Sequence, residues 1–123
     1  MITNKDKAVV IEVSGVQFDA EVIRSDRPVI VMFWAPWSRP CKILDCVMDE
    51  VASRCAASAK VVKVNADDNP SLSLLYGIQS IPTLVYVVGG KLRAKLIGAA
   101  GAESILSKLE SVLEGYSPMP ESI

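Results

Sequence analysis

Residues 34–42 read WAPWSRPCK, and they overlap the end of RPVIVMFWA at 27–35. The earlier stretch is continuously apolar, β-branched and aromatic, as a strand buried on both faces should be. The later stretch turns at a proline and offers Ser38 as a helix N-cap. Pro40 then falls in the first helical turn, where no N–H is needed. A cysteine at 38 would complete C-x-x-C, the spacing of a dithiol/disulfide pair. The chain has Ser38 there and keeps Cys41.

Outward from this point the pattern alternates. AVVIEV (8–13) reads as a short apolar strand. GVQFDAEVIRSD (15–26) has Val16, Ala20 and Ile23 at helical spacing and reads as a short helix. After the strand at 27–35, a helix is expected over 39–57, with Ile43, Val47, Glu50, Val51 and Arg54 at its three-and-four spacings. AKVVKVNAD (59–67) is the next strand. NPSLSLLYG (69–77) begins with a proline near a helix N-terminus and ends at Gly77 as C-cap. PTLVYVV (82–88), GG (89–90) and KLRAKLIG (91–98) form an antiparallel hairpin. A last amphipathic helix covers 101–115 with Ile105, Leu109 and Val112 inward, and 116–123 is a loose tail. The order β-α-β-α-β-α-β-β-α implies an α/β fold: a mixed five-stranded sheet flanked by four helices, one domain over 1–115.

Composition excludes much chemistry. The chain has 123 residues, enough for a real core, and half of them are hydrophobic. Its net charge of −1 gives no reason to expect nucleic acid or an anionic membrane as partner. No apolar run approaches the roughly 20 residues that span a bilayer. There is no histidine, so Ser-His and Cys-His nucleophilic sites and His-ligated zinc are impossible within the chain. Cys41, Cys46 and Cys55 fall on one expected helix, where their spacings do not converge on a metal. Three cysteines are too few for a disulfide scaffold, which makes a reducing, cytoplasmic compartment the default. Cys46 and Cys55 read as small packing residues. Lys91, Arg93 and Lys95 alternate along one strand and read as one solvated face.

FWAPWSRPCK (33–42), VNADDNPSLSLLYGIQSIPTL (64–84) and GGKLRAKLIGA (89–99) resemble thioredoxins, and the likeness runs from about residue 8 to residue 115. The resemblance implies the thioredoxin fold and protein disulfide reduction. It places the attacking cysteine at Ser38 and the resolving cysteine at Cys41. It makes Ile81–Pro82 a cis peptide facing the W-x-x-P-C loop, with Trp37, Ile81 and Pro82 as an apolar rim for a protein partner. Arg39, Pro40 and Gly98 border the same loop, and Trp34 supports it from the core. Such a site needs no bound cofactor, since the dithiol is the redox centre. Its partners are disulfide-containing proteins and a flavin- or ferredoxin-linked reductase, and a monomer is expected.

Three departures from the family stand out. Ser38 has no sulfur, and no histidine is present to activate its hydroxyl. Thioredoxins usually carry a buried acid where this chain has Met32, and Lys63 matches the lysine near that acid, so it must find another partner or snorkel to water. They usually have a kinking proline where this chain has Cys46. Three functions follow: an oxidoreductase disabled at Ser38, a non-catalytic binding module of the same fold, or a single-thiol redox protein working through Cys41. Cys41 itself reads equally as a slow thiol, more buried than position 38, or as an inert half-buried cysteine.

Overall fold

The apolar run at 27–35 becomes the middle of the sheet. A computed structural model describes residues 10–114. Their elements are β1 (Ile11–Glu12), α1 (Gly15–Phe18) with a π-helical continuation (Asp19–Ile23), β2 (Val29–Trp34), α2 (Arg39–Arg54), β3 (Lys60–Asn65), α3 (Pro70–Leu75), β4 (Thr83–Val88), β5 (Lys91–Ile97) and α4 (Ala102–Glu114). Residues 8 and 9 of the expected first strand, residue 115 and the tail at 116–123 lie outside the described residues.

The strand order is β1-β3-β2-β4-β5. β1 and β2 run parallel to β3, while β4 runs antiparallel to both β2 and β5. β2 therefore has a partner on each side and buries both faces, which is why its sequence is apolar without alternation. Its side chains divide between two cores. Ile30 and Met32 join Leu44, Met48, Val51, Leu84, Tyr86 and Ile105 under α2 and α4. Val29, Val31 and Phe33 join Phe18, Val22, Val62 and Tyr76 on the other face. Gly89 and Gly90 both have positive φ, the conformation that a two-residue hairpin turn of the primed type requires. Ile105 and Leu109 of α4 are buried and Val112 packs against them, as the spacing predicts.

Two helical phases differ from expectation. In the first helix Val16 is 93% exposed and Ala20 is also exposed, while Phe18 and Val22 are buried. The aromatic ring claims the inward position and packs on Tyr76 at 5.6 Å between ring centroids. The chain then widens into a π turn, in which the Arg24 N–H bonds the Asp19 carbonyl at 2.9 Å. In α2 the buried stripe is Cys41, Leu44, Met48, Val51 and Ala52, and Ile43 is 63% exposed. Capping at Ser38 fixes where the helix begins, which turns Cys41 inward, and later positions follow at three and four. Cys46 thereby falls on the exposed side and packs against nothing in the core, whereas Cys55 is buried.

Lys91, Arg93 and Lys95 do not share a face. The β4–β5 register slips between Tyr86 and Val87: Tyr86 opposes Ala94 but Val87 opposes Leu92, which leaves Arg93 as an extra residue. Lys95 reaches the Gly77 carbonyl at 3.2 Å. Arg93 lies instead beside Ala94 and Lys108 of α4. The bulge cancels the period-two alternation on which the one-face reading rested.

Candidate functional site

Four loops meet at one end of the sheet because of its register. Trp34 pairs with Asn65 at the ends of β2 and β3, and Phe33 pairs with Thr83 at the start of β4. Thr83 in turn pairs with Ile97 at the end of β5. The segments that follow Trp34, Asn65 and Ile97, and the one that precedes Thr83, therefore emerge together.

The first of these segments carries Trp37, Ser38, Arg39 and Pro40. Ser38 is the N-cap of α2, with extended backbone, and its hydroxyl accepts from the Cys41 N–H at 3.4 Å. Arg39 and Pro40 form the exposed first turn. Ser38 is 3% exposed and Cys41 is 2% exposed. The expected contrast, with Cys41 more buried than position 38, is absent. Both sit beneath the loop, because the cap bond draws the hydroxyl onto the helix axis and away from solvent. Cys41 is fully buried in the core that holds Met32, rather than half-buried.

Opposite, the Ile81–Pro82 bond is cis. The Pro82 carbonyl accepts from the Gly98 N–H at 2.8 Å, which ties the segment after Ile97 to this one. Gly98 has φ +90, a conformation that side chains beyond glycine rarely adopt. Ile81 is half-buried and Pro82 is buried, so the open apolar surface belongs to Trp37 and Ile81 rather than to the proline ring. Trp37 is 68% exposed, yet its indole N–H donates to the Asp67 carboxylate at 2.9 Å. That bond holds the ring beside a cleft of about 420 Å³ lined by Ala66, Pro70, Ile78, Gln79 and Ile81.

Behind the loop lies a second set of polar contacts. Trp34 is partly buried against the core, and its N–H donates to Glu12 at 3.0 Å. Lys63 stands over the Trp34 ring, 5.0 Å from its centroid, and its ammonium donates to Asp45 at 3.2 Å. Met32 opposes Lys63 in the β2–β3 register and is fully buried. The lysine has thus found its carboxylate on α2 rather than on β2. Asp45, Asp67 and Glu12 went unnoticed in the sequence. Each bonds a partner at least 18 positions away, and only Asp45, one helical turn beyond Cys41, had a spacing that hinted at its place.

The three cysteines are free thiols. Cys55 lies at the far end of α2, where burial pushes its thiol up from the ordinary value against a smaller opposing pull from Arg27. Among the described residues no group of three or more cysteine, aspartate or glutamate side chains is arranged to hold a metal ion. No helix among them is long and apolar enough to cross a membrane.

A family model described as Thioredoxin matches residues 9–111. A thioredoxin of Porphyra purpurea is 45% identical over 105 residues, 85% of this chain and 94% of its own length. A thioredoxin of Synechocystis sp. is 41% identical over 102 residues, 83% of this chain and 95% of its own length. A bifunctional thioredoxin reductase/thioredoxin of Mycobacterium leprae is 36% identical over 113 residues, 92% of this chain but 25% of that larger protein.

Proposed function

The chain belongs to the thioredoxin family, and we propose that it is a thioredoxin-type protein-disulfide oxidoreductase whose attacking position is occupied by Ser38, so that it does not complete dithiol turnover. The observation that carries this reading is the cap itself: Ser38 and Cys41 stand one helical turn apart, joined through a hydroxyl where exchange needs a thiol. In the family reaction a thiolate attacks one sulfur of a client disulfide and expels the other as thiolate. A second thiolate then attacks the mixed disulfide and releases the reduced client, leaving the enzyme oxidised. A serine hydroxyl is too weak an acid to take the first role and forms no disulfide.

The remaining parts are those of a groove for an extended client segment. Trp37 and Ile81 offer apolar surface, Arg39 and Pro40 border it, and the cis Ile81–Pro82 segment with Gly98 offers backbone for strand-like pairing. Trp34, Met32 and Lys63 support the loop from behind. The partners are disulfide-containing proteins and a thioredoxin reductase, flavin- or ferredoxin-linked; reductase and thioredoxin are joined in the name of the Mycobacterium leprae relative. Three free thiols suit a reducing, cytoplasmic compartment.

A second reading, a binding module without chemistry, is favoured by Met32. It is fully buried where a proton-accepting acid would serve the resolving thiol. Burial of Cys41 disfavours the third reading, a lone thiol working alone. The test is turnover of a protein disulfide with dithiothreitol as electron source, comparing the chain as written with Ser38→Cys. The expected result is background for the first and reduction by the second. If both are inert, the oxidoreductase reading is lost and the binding module stands; activity in the unaltered chain would point to Cys41.

A further inference from the structure

β5 is the outer strand of the sheet, and among the described residues nothing pairs with its far edge. Its seven residues span about 23 Å at roughly 3.3 Å per residue. The bulge turns Arg93 toward α4, where with Ala94, Lys108, Ser111 and Val112 it lines a trough of about 310 Å³. Lys108 and Ser111 also line an adjoining recess of about 520 Å³ with Leu96, Ser104 and Ser107. The two shared residues make one continuous depression along β5, polar on its walls and apolar at Leu96 and Val112.

The depression is lined by two cations, Arg93 and Lys108, and neither makes an ion pair among the described residues. The one carboxylate in its lining, Glu103, is bonded at 3.0 Å by Arg54, which Glu50 shares. Glu110 lines the cleft on the other flank of α4. A basic strip on a chain whose net charge is −1 is a local arrangement, not a reflection of overall composition.

We infer that the β5 edge, with its trough, is a docking surface for an extended acidic peptide segment of a partner protein, separate from the groove at Trp37. Such a segment adds as a further strand, its backbone pairing with the open edge of β5. Acidic side chains at alternate positions face Arg93 and Lys108, and the apolar ones between them meet the edge residue Leu92, which is partly exposed. The same cations keep two copies of this chain from pairing edge to edge, so the strip selects by charge.

The test uses the full 15N-labelled chain and an N-acetylated alternating Glu-Val peptide of about six residues, a typical strand length. Amide shifts at 91–97 and 104–112 are expected, together with at least a tenfold loss of affinity in Arg93→Glu/Lys108→Glu, about 1.4 kcal/mol. The matching Lys-Val peptide and a backbone N-methylated Glu-Val peptide should not bind. Shifts centred on Trp37 and Ile81, equal binding of the Lys-Val or methylated peptide, or unchanged affinity in the double variant would each overturn the proposal. So would displacement of the peptide by a single-stranded oligonucleotide that binds more tightly. Far-UV circular dichroism of the double variant checks that it is folded. None of these readings depends on residue 38.

Discussion

Ser38→Ala should destabilise the fold by about 1 kcal/mol, a typical loss for an N-cap replaced by alanine. Two features of the structure set that size. The cap bond is 3.4 Å long, beyond the usual range, which argues for the lower end. Both residues are buried, so the Cys41 N–H that loses its acceptor gains little water, which argues for the upper end. For a chain of 123 residues the shift in Tm is about 4 °C. Urea unfolding should show a lower midpoint with an unchanged slope, since the surface exposed on unfolding is the same. Ser38→Gly should cost only a few tenths of a kcal/mol, because glycine is itself a tolerated cap. If alanine were as stable as serine, or glycine were worse than alanine, the capping argument for Ser38 would be refuted.

Leu44→Ala should cost about 2–5 kcal/mol in urea unfolding, and Ile43→Ala close to nothing, because the first is fully buried and the second mostly exposed. Reaction with a thiol reagent on the native chain should label Cys46 first. Cys41 and Cys55 should react only at the rate of opening, as peptide mapping of the labelled chain would report. Stability should also fall at alkaline pH. Burial raises the Tyr86 phenol, whose O–H donates to the Ile105 carbonyl at 2.9 Å, and it raises the Cys55 thiol as well. The native state thus holds these protons more tightly than the unfolded chain. The stabilisation is complete below the unfolded values and declines once pH passes about 8.5 for the thiol and about 10 for the phenol. Tyr86→Phe should cost about 1 kcal/mol at neutral pH and flatten the alkaline decline, measured by thermal melts across that range.

The element order could be read directly because the signals were long and of one period: the unbroken run that became β2, the glycine pair between β4 and β5, the stripe on α4. Rotational phase was harder to read. Val16 and Phe18 are both apolar, and only packing against Tyr76 decides which turns inward. On α2 both Ile43 and Leu44 fit a helical stripe, and the cap at Ser38 decides between them. The bulge at Arg93 left no mark in KLRAKLI, since a ladder irregularity depends on the partner strand as much as on its own. At the site, the motif named Ser38, Cys41, Trp37 and Pro82. The carboxylates that fix the two tryptophans and Lys63 come from β1, α2 and the segment after β3; contacts so distant in sequence leave no spacing to read, apart from the helical turn between Cys41 and Asp45.

The sheet divides the interior into two compartments that share backbone and, among the described residues, the side chain of Ile81 at the loop end. Met32 and Phe33 are neighbours in the chain, yet they belong to opposite rooms. A change of volume beside Phe18 or Tyr76 must be absorbed by α1 and α3, and one beside Met48 by α2 and α4. Paired substitutions on opposite sides, away from Ile81, should therefore add without coupling, as sites with no shared partner do. The side that holds Cys41 can then be rebuilt, for instance to admit an acid at position 32, while the other side keeps the chain folded.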